Sequence, residues 1–146
     1  AIEDFRATFG DERVDYNASL ERHYQQGPAA DWQQHFVSAY ASAHPWEDWA
    51  ETCAHYLLMV DAVDTAAAWG LQLSSAGGAP VQPEQAVATA PVERLVLDHW
   101  LPLARFLNAM ARSLGLADSY PYLLPGPVLG KLRFVQSILT ARDRRG

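Results

Sequence analysis

The sequence has a single cysteine, Cys53, in 146 residues, so no internal disulfide can form, and thiol usage of this kind suits a reducing cytoplasm. It has no apolar run of membrane-spanning length and no basic start followed by an apolar stretch, so a membrane is not the expected partner. No stretch alternates apolar and polar residues over a convincing length, and no internal repeat appears, which excludes a sheet-based or solenoid reading. Basic residues are scarce, 11 Lys and Arg against 17 Asp and Glu for a net charge of −6. Residues 1–126 hold 6 Lys and Arg against 16 Asp and Glu, and residues 127–146 hold 5 against 1. A short basic tail on an acidic body fits arginines at a helix end better than a nucleic-acid face, which needs cations spread between aromatics. Of the five histidines, at 23, 35, 44, 55 and 99, no two stand four residues apart.

What is present is the composition of a folded domain, 49% hydrophobic and 19% charged, long enough for an ordinary core. The spacing of apolar residues predicts helices throughout, hence an all-α, single multi-helix domain. The first segment, IEDFRATFG, reads as the end of a helix stopped by Gly10, with Phe5 and Phe9 one turn apart. Asp11 or Asp15 caps a second helix with Tyr16, Leu20 and Tyr24 as its core stripe, closing at Gly27-Pro28. His23 is expected on the surface. Asp31 is expected to cap a third helix bearing Trp32, Phe36, Val37 and Tyr40 on one face. His35 is expected outside.

Residues 72–90, rich in Gly, Ser, Ala and Pro, read as a mobile loop. A long helix follows to Leu114, with Leu95, His99 or Trp100, Leu103, Phe106, Leu107 and Met110 facing the core and a kink near Asp98 imposed by Pro102. A hydrogen bond from His99 to a carbonyl is the expectation for that residue. Tyr120, Tyr122 and Leu123 line or plug a cleft, and a last helix over 128–142 buries Leu129, Leu132, Phe134 or Val135, and Leu139.

Chemistry concentrates between Ser38 and Asp61, SAYASAHPWEDWAETCAHYLLMVD. Pro45 fits a first helical turn, so a helix starts near His44 or Pro45 and runs to about Trp69, with Gly70 ending it. Glu47 and Glu51 fall one turn apart on one face, His55 continues the stripe, and Asp48 flanks it. The opposite arc of Trp46, Trp49, Ala50, Cys53, Tyr56, Leu57 and Val60 is the expected core face. Leu58 and Met59 make the later turns apolar nearly all round, so the helix and its acids are expected to be buried. Two like charges one turn apart repel, and either solvent and arginines or a shared cation or proton relieves them. His44, before a proline, is expected to be extended and to cap or pack, with a substrate contact as the alternative.

Tyr40, six residues, then Glu47-Asp48-Trp49-Ala50-Glu51 resembles the downstream half of a gluzincin-type zinc site. More closely, ERHYQQGPAADW (Glu21 to Trp32), FVSAYASAHPWEDWAE (Phe36 to Glu51) and LGLADSYPYLL with KLRFV (Leu114 to Val135) resemble the bacterial zinc-binding metallopeptidases of that type. The likeness covers nearly the whole chain. It implies that Glu47 is the third zinc ligand, that Glu51 is the supporting carboxylate one turn on, and that Tyr40 is the phenol that steadies an oxyanion. His44, Asp48 and His55 are further pocket candidates. Zinc in such enzymes keeps three protein ligands and an open position, and brings the pKa of water down to about 7.

The departure from the family pattern is the missing His-Glu-x-x-His, which in the family lies just upstream of a segment like Ile2 to Gly10. The resemblance is therefore to a C-terminal part whose other ligands lie on a preceding segment, with zinc and a peptide substrate expected for the longer protein and no zinc held by these residues alone. The alternative is a helical interaction module on the same scaffold without catalysis.

Overall fold

Cap chemistry sets the helix boundaries. The Asp15 carboxylate accepts from Ala18 N at 2.8 Å and starts α2 at Tyr16, satisfying a backbone donor that the helix itself leaves free. In the computed structural model, which describes residues 2–73, 90–120 and 124–143, α1 is Ile2–Phe9, α2 Tyr16–Gln26, α3 Pro45–Ala68, α4 the single turn Val92–Arg94, α5 Leu101–Ser113 and α6 Gly126–Asp143. All are helical, and no strand occurs among the described residues. None is long and apolar enough to cross a membrane. Gly70 ends α3 at φ 66°, with Gly70 N bonded to Ala67 O and Leu71 N to Ala66 O, a paired closure that needs a left-handed residue.

The chain divides into two compact units, Ala1–Tyr56 with Tyr122–Gly146, and Leu57–Pro121. In the first, α1, the start of α3 and α6 meet through aromatic rings. Phe5 stacks on Phe9 at 5.1 Å, Phe9 meets Trp49 edge-on at 5.4 Å, and Phe134 lies against both. α6 buries Val128, Lys131, Leu132 and Val135, while Leu129, Phe134 and Leu139 are half-buried.

In the second unit, Val92, Leu95, Val96, Trp100, Leu103, Ala104 and Ala111 are buried. Pro102 has no N–H to give the carbonyl four residues back, and the backbone answers with a π-helical stretch over Leu95–Trp100, closed by Leu101 N on Val96 O. The irregularity falls around Asp98, as the proline required. Asn108 clamps the backbone of Tyr120 through two bonds of 2.8 Å, and Tyr120 packs edge-on against Trp100 at 4.7 Å.

Several expectations give way here. Residues 32–37 do not form a third helix: there is a 3-10 turn at Trp32–Gln34 without a side-chain cap and another at Tyr40–Ala43. Ser38 Oγ accepts from Ala41 N and Ser42 Oγ donates to Ala39 O, local bonds that compete with a helical ladder. On α2, Tyr16 and Tyr24 are exposed and the buried residue is Ser19. On α3 the buried line is Asp48, Thr52, Tyr56, Met59, Val63 and Ala66, whereas Trp46, Leu57 and Leu58 are about half exposed and Ala50 is exposed. Periodicity sets the spacing of a buried line, and the neighbouring elements choose which line it is. Phe106 and Met110 of α5 are likewise exposed. His99 is buried, with neither ring nitrogen hydrogen-bonded, instead of donating to a carbonyl. Tyr122 and Leu123, and most of the loop expected over 72–90, lie outside the described residues.

Candidate functional site

The site is built where the first turn of α3 faces the start of α2. Glu47 and Asp48 occupy that first turn, where the helix dipole favours negative charge. Tyr16, the first residue of α2, donates its hydroxyl to Glu47 Oε1, and that bond is the largest cause of the raised pKa of the Tyr16 phenol. Tyr40 begins the 3-10 turn before α3, with its phenol beside those of Tyr16 and Tyr24. Burial, then the negative charge of Glu47, holds the Tyr40 pKa well above the usual phenol value. It therefore stays protonated at neutral pH, within a hydrogen-bonded group of three phenols. The His23 ring stands edge-on to Tyr40 with centroids 6.0 Å apart. The structure thus brings Tyr40 and Glu47 together.

Glu51, one turn on, takes a different donor: Ser38 Oγ at 2.9 Å. Because the same Ser38 oxygen accepts from Ala41 N at 3.0 Å, Glu51 steadies the turn that carries Tyr40. The repulsion expected between Glu47 and Glu51 is thus relieved by separate hydroxyl donors, and both acids are half-buried instead of deeply buried.

Asp48 is the buried acid, 1% exposed. It pairs with Lys131 Nζ at 2.6 Å, and Lys131 also donates to His35 O at 2.7 Å and sits 4.1 Å from the centroid of the Phe36 ring. Burial outweighs the pull of Lys131 and raises the Asp48 pKa to about 6, in keeping with the desolvation cost of an enclosed charge. His35 is exposed.

His44 is buried and extended, at φ −158° and ψ 150°. Its Nε2 lies 3.0 Å from Val14 O and its Nδ1 accepts from Trp46 N at 3.1 Å, a pattern that assigns the proton to Nε2. Both ring nitrogens are spent on fixing the start of α3. His55, on the same helix, is half-buried, and burial lowers its pKa to about 4, so the ring is neutral at pH 7. Cys53 is half-buried and burial pushes its thiol up to about 11, the opposite of an activated nucleophile.

Among the described residues no three His, Cys, Asp or Glu side chains converge as a metal-binding group. The donor chemistry fits one part of such a centre, since Glu47 is a half-exposed carboxylate oriented by a phenol, as ligating carboxylates commonly are. It does not make a complete zinc site.

Sequence reasoning missed Tyr16, Tyr24 and His23 as members of this cluster. The available signal was two phenols eight residues apart on α2, which were assigned to the core because tyrosine counts as apolar in a helical stripe.

The chain is all-helical among the described residues and sets a carboxylate and a protonated phenol near the start of one helix. The chain belongs to the family described as "Putative zinc-binding metallo-peptidase", whose model matches residues 1–138. It is 46% identical over 136 residues to uncharacterized proteins of Mycobacterium bovis and Mycobacterium tuberculosis. The match takes in 92% of this chain and 38% of each relative, so the chain spans well under half the length of the curated relatives it matches. No solved structure matches it.

Proposed function

We propose that this chain is the helical portion of a zinc-dependent peptidase, in which Glu47 is one donor to the metal and Tyr40 acts on the substrate. The remaining ligands would come from polypeptide outside these 146 residues. The observation that carries the reading is the arrangement around Glu47: Tyr16 donates to its Oε1, and the protonated Tyr40 phenol lies within reach of its charge. Zinc, where bound, supplies Lewis acidity that polarises a peptide carbonyl.

The chain's own residues do the rest. Tyr16 fixes the Glu47 carboxylate and neutralises part of its repulsion with Glu51. Tyr40 offers its O–H to the carbonyl oxygen as that oxygen gains negative charge, a contribution on the scale of about 10²–10³ in rate for a single donor. Glu51, through Ser38, holds the Tyr40 turn in place.

The test is metal analysis and peptide hydrolysis on the longer protein. Glu47→Gln should lose most of the bound zinc, while Tyr40→Phe should keep it and lower kcat by about 10²-fold with KM little changed. Zinc content unaltered in Glu47→Gln would overturn the ligand assignment. If the parent protein also hydrolysed no peptide, a non-catalytic helical interaction module would take its place.

A further inference from the structure

Between α2 and the turn that follows Tyr40 lies a cavity of about 470 Å³. Arg22, His23 and Gln26 of α2 line one wall, and Phe36 with Ser42 and Ala43 of the Tyr40 turn lines another. His23 is shared: it lines this cavity and meets Tyr40 edge-on, so one ring stands between the cavity and the candidate site. Arg22 is exposed and no acid pairs with it among the described residues, although Arg6, Arg13 and Arg112 each hold one. In a chain of net charge −6, a guanidinium without an acid on the wall of a concave pocket is available to an anion. Its planar fork fits a carboxylate through two parallel bonds, and the Gln26 amide adds a neutral donor.

We propose that this pocket binds a carboxylate of the peptide, the acidic side chain or the free C-terminus of a residue next to the bond presented to Tyr40. The inference rests on the peptidase reading for its substrate class. The pocket's volume admits a side chain of glutamate size, the cation supplies the selectivity, and the shared His23 wall sets the distance to the reacting bond.

The experiment titrates the longer protein, kept metal-free by chelator so that no peptide is turned over, by heteronuclear NMR or calorimetry, with N-acetylated peptides that differ only in Glu against Gln at one position and in a free against an amidated C-terminus. Expected is a preference of about ten-fold for one carboxylate-bearing peptide over its neutral partner, lost in Arg22→Gln, with shifts centred on residues 22–29 and 42–43. A preference that follows the side chain identifies an acidic residue as the source. One that follows the terminus identifies a C-terminal carboxylate. Equal affinities, absence of binding, or a preference that survives in Arg22→Gln would overturn the proposal.

Hydrolysis of the same peptides by the longer protein separates the two readings. If nothing is cleaved but the Arg22-dependent preference remains, the peptidase reading fails and the carboxylate pocket stands. If cleavage is indifferent both to the carboxylate and to Arg22, the pocket fails and the peptidase reading stands.

Discussion

The two halves of α3 are built on different physics. From Pro45 to Tyr56 the helix carries three acids, and each is answered by its own partner: Glu47 by Tyr16, Asp48 by Lys131 and Glu51 by Ser38. From Leu57 to Ala68, where Asp61 is exposed and Asp64 half-buried, the buried residues are Met59, Val63 and Ala66, and packing is the main source of stability. A polar half held by specific partners is intolerant of losing any one of them, because the orphaned group stays behind and must be desolvated alone. An apolar half loses stability in proportion to the volume removed. Side-chain directions are therefore over-determined by hydrogen bonds in the first half and set by packing in the second.

The comparison breaks most sharply at Lys131. Lys131→Met should cost about 3–5 kcal/mol by leaving Asp48 enclosed without its cation, whereas adding Asp48→Asn to that variant should restore part of the loss. Urea denaturation of the three proteins measures this, and a double variant no more stable than Lys131→Met would show that the pair is not the cause.

In the apolar half, Met59→Ala should cost about 2–4 kcal/mol through its cavity, with no second substitution in the polar half able to offset it. Thermal and urea midpoints of the single and combined variants check the independence of the two sites.

The smallest effect is a difference in pH dependence. Asp48 has its folded pKa raised from 3.8 to about 6, so the folded state holds the proton more tightly than the unfolded chain. The stability Asp48 contributes is full below about pH 4 and is lost as pH rises through 6. His55, lowered from 6.5 to about 4, works in the opposite sense: its contribution is present above about pH 6.5 and is lost as pH falls through 4. Relative to the parent, stability should rise more steeply with pH between 4 and 6 in Asp48→Asn and less steeply in His55→Gln. Denaturation midpoints across that range measure both slopes, and equal slopes in the two variants would contradict the assignment.

Helix ends were legible because they rest on local chemistry. Gly10, Gly27 and Gly70 all adopt positive φ at the helix ends where the sequence placed stops, and Asp15 caps where a capping residue was expected. Faces were less legible. The apolar arc of α3 was assigned around Trp46 and Leu57, but the aspartate that pairs with Lys131, 83 positions along the chain, draws the buried line to Asp48. No window along the sequence contains that pairing. The third helix was misread for a similar reason, since the hydroxyls of Ser38 and Ser42 can serve a helix or undo it, and Glu51 on α3 biases the outcome by engaging Ser38.

The sequence by itself determined an all-helical chain, the start of α3 at Pro45, and the placing of Tyr40 and Glu47 on either side of a short turn, because capping and backbone preferences act within a few residues. Only the tertiary structure decided that Tyr16 reaches Glu47, that Asp48 is the acid taken out of water, and that Arg22 and His23 line one cavity. Those outcomes depend on which surfaces meet, and burial and pairing are properties of the meeting.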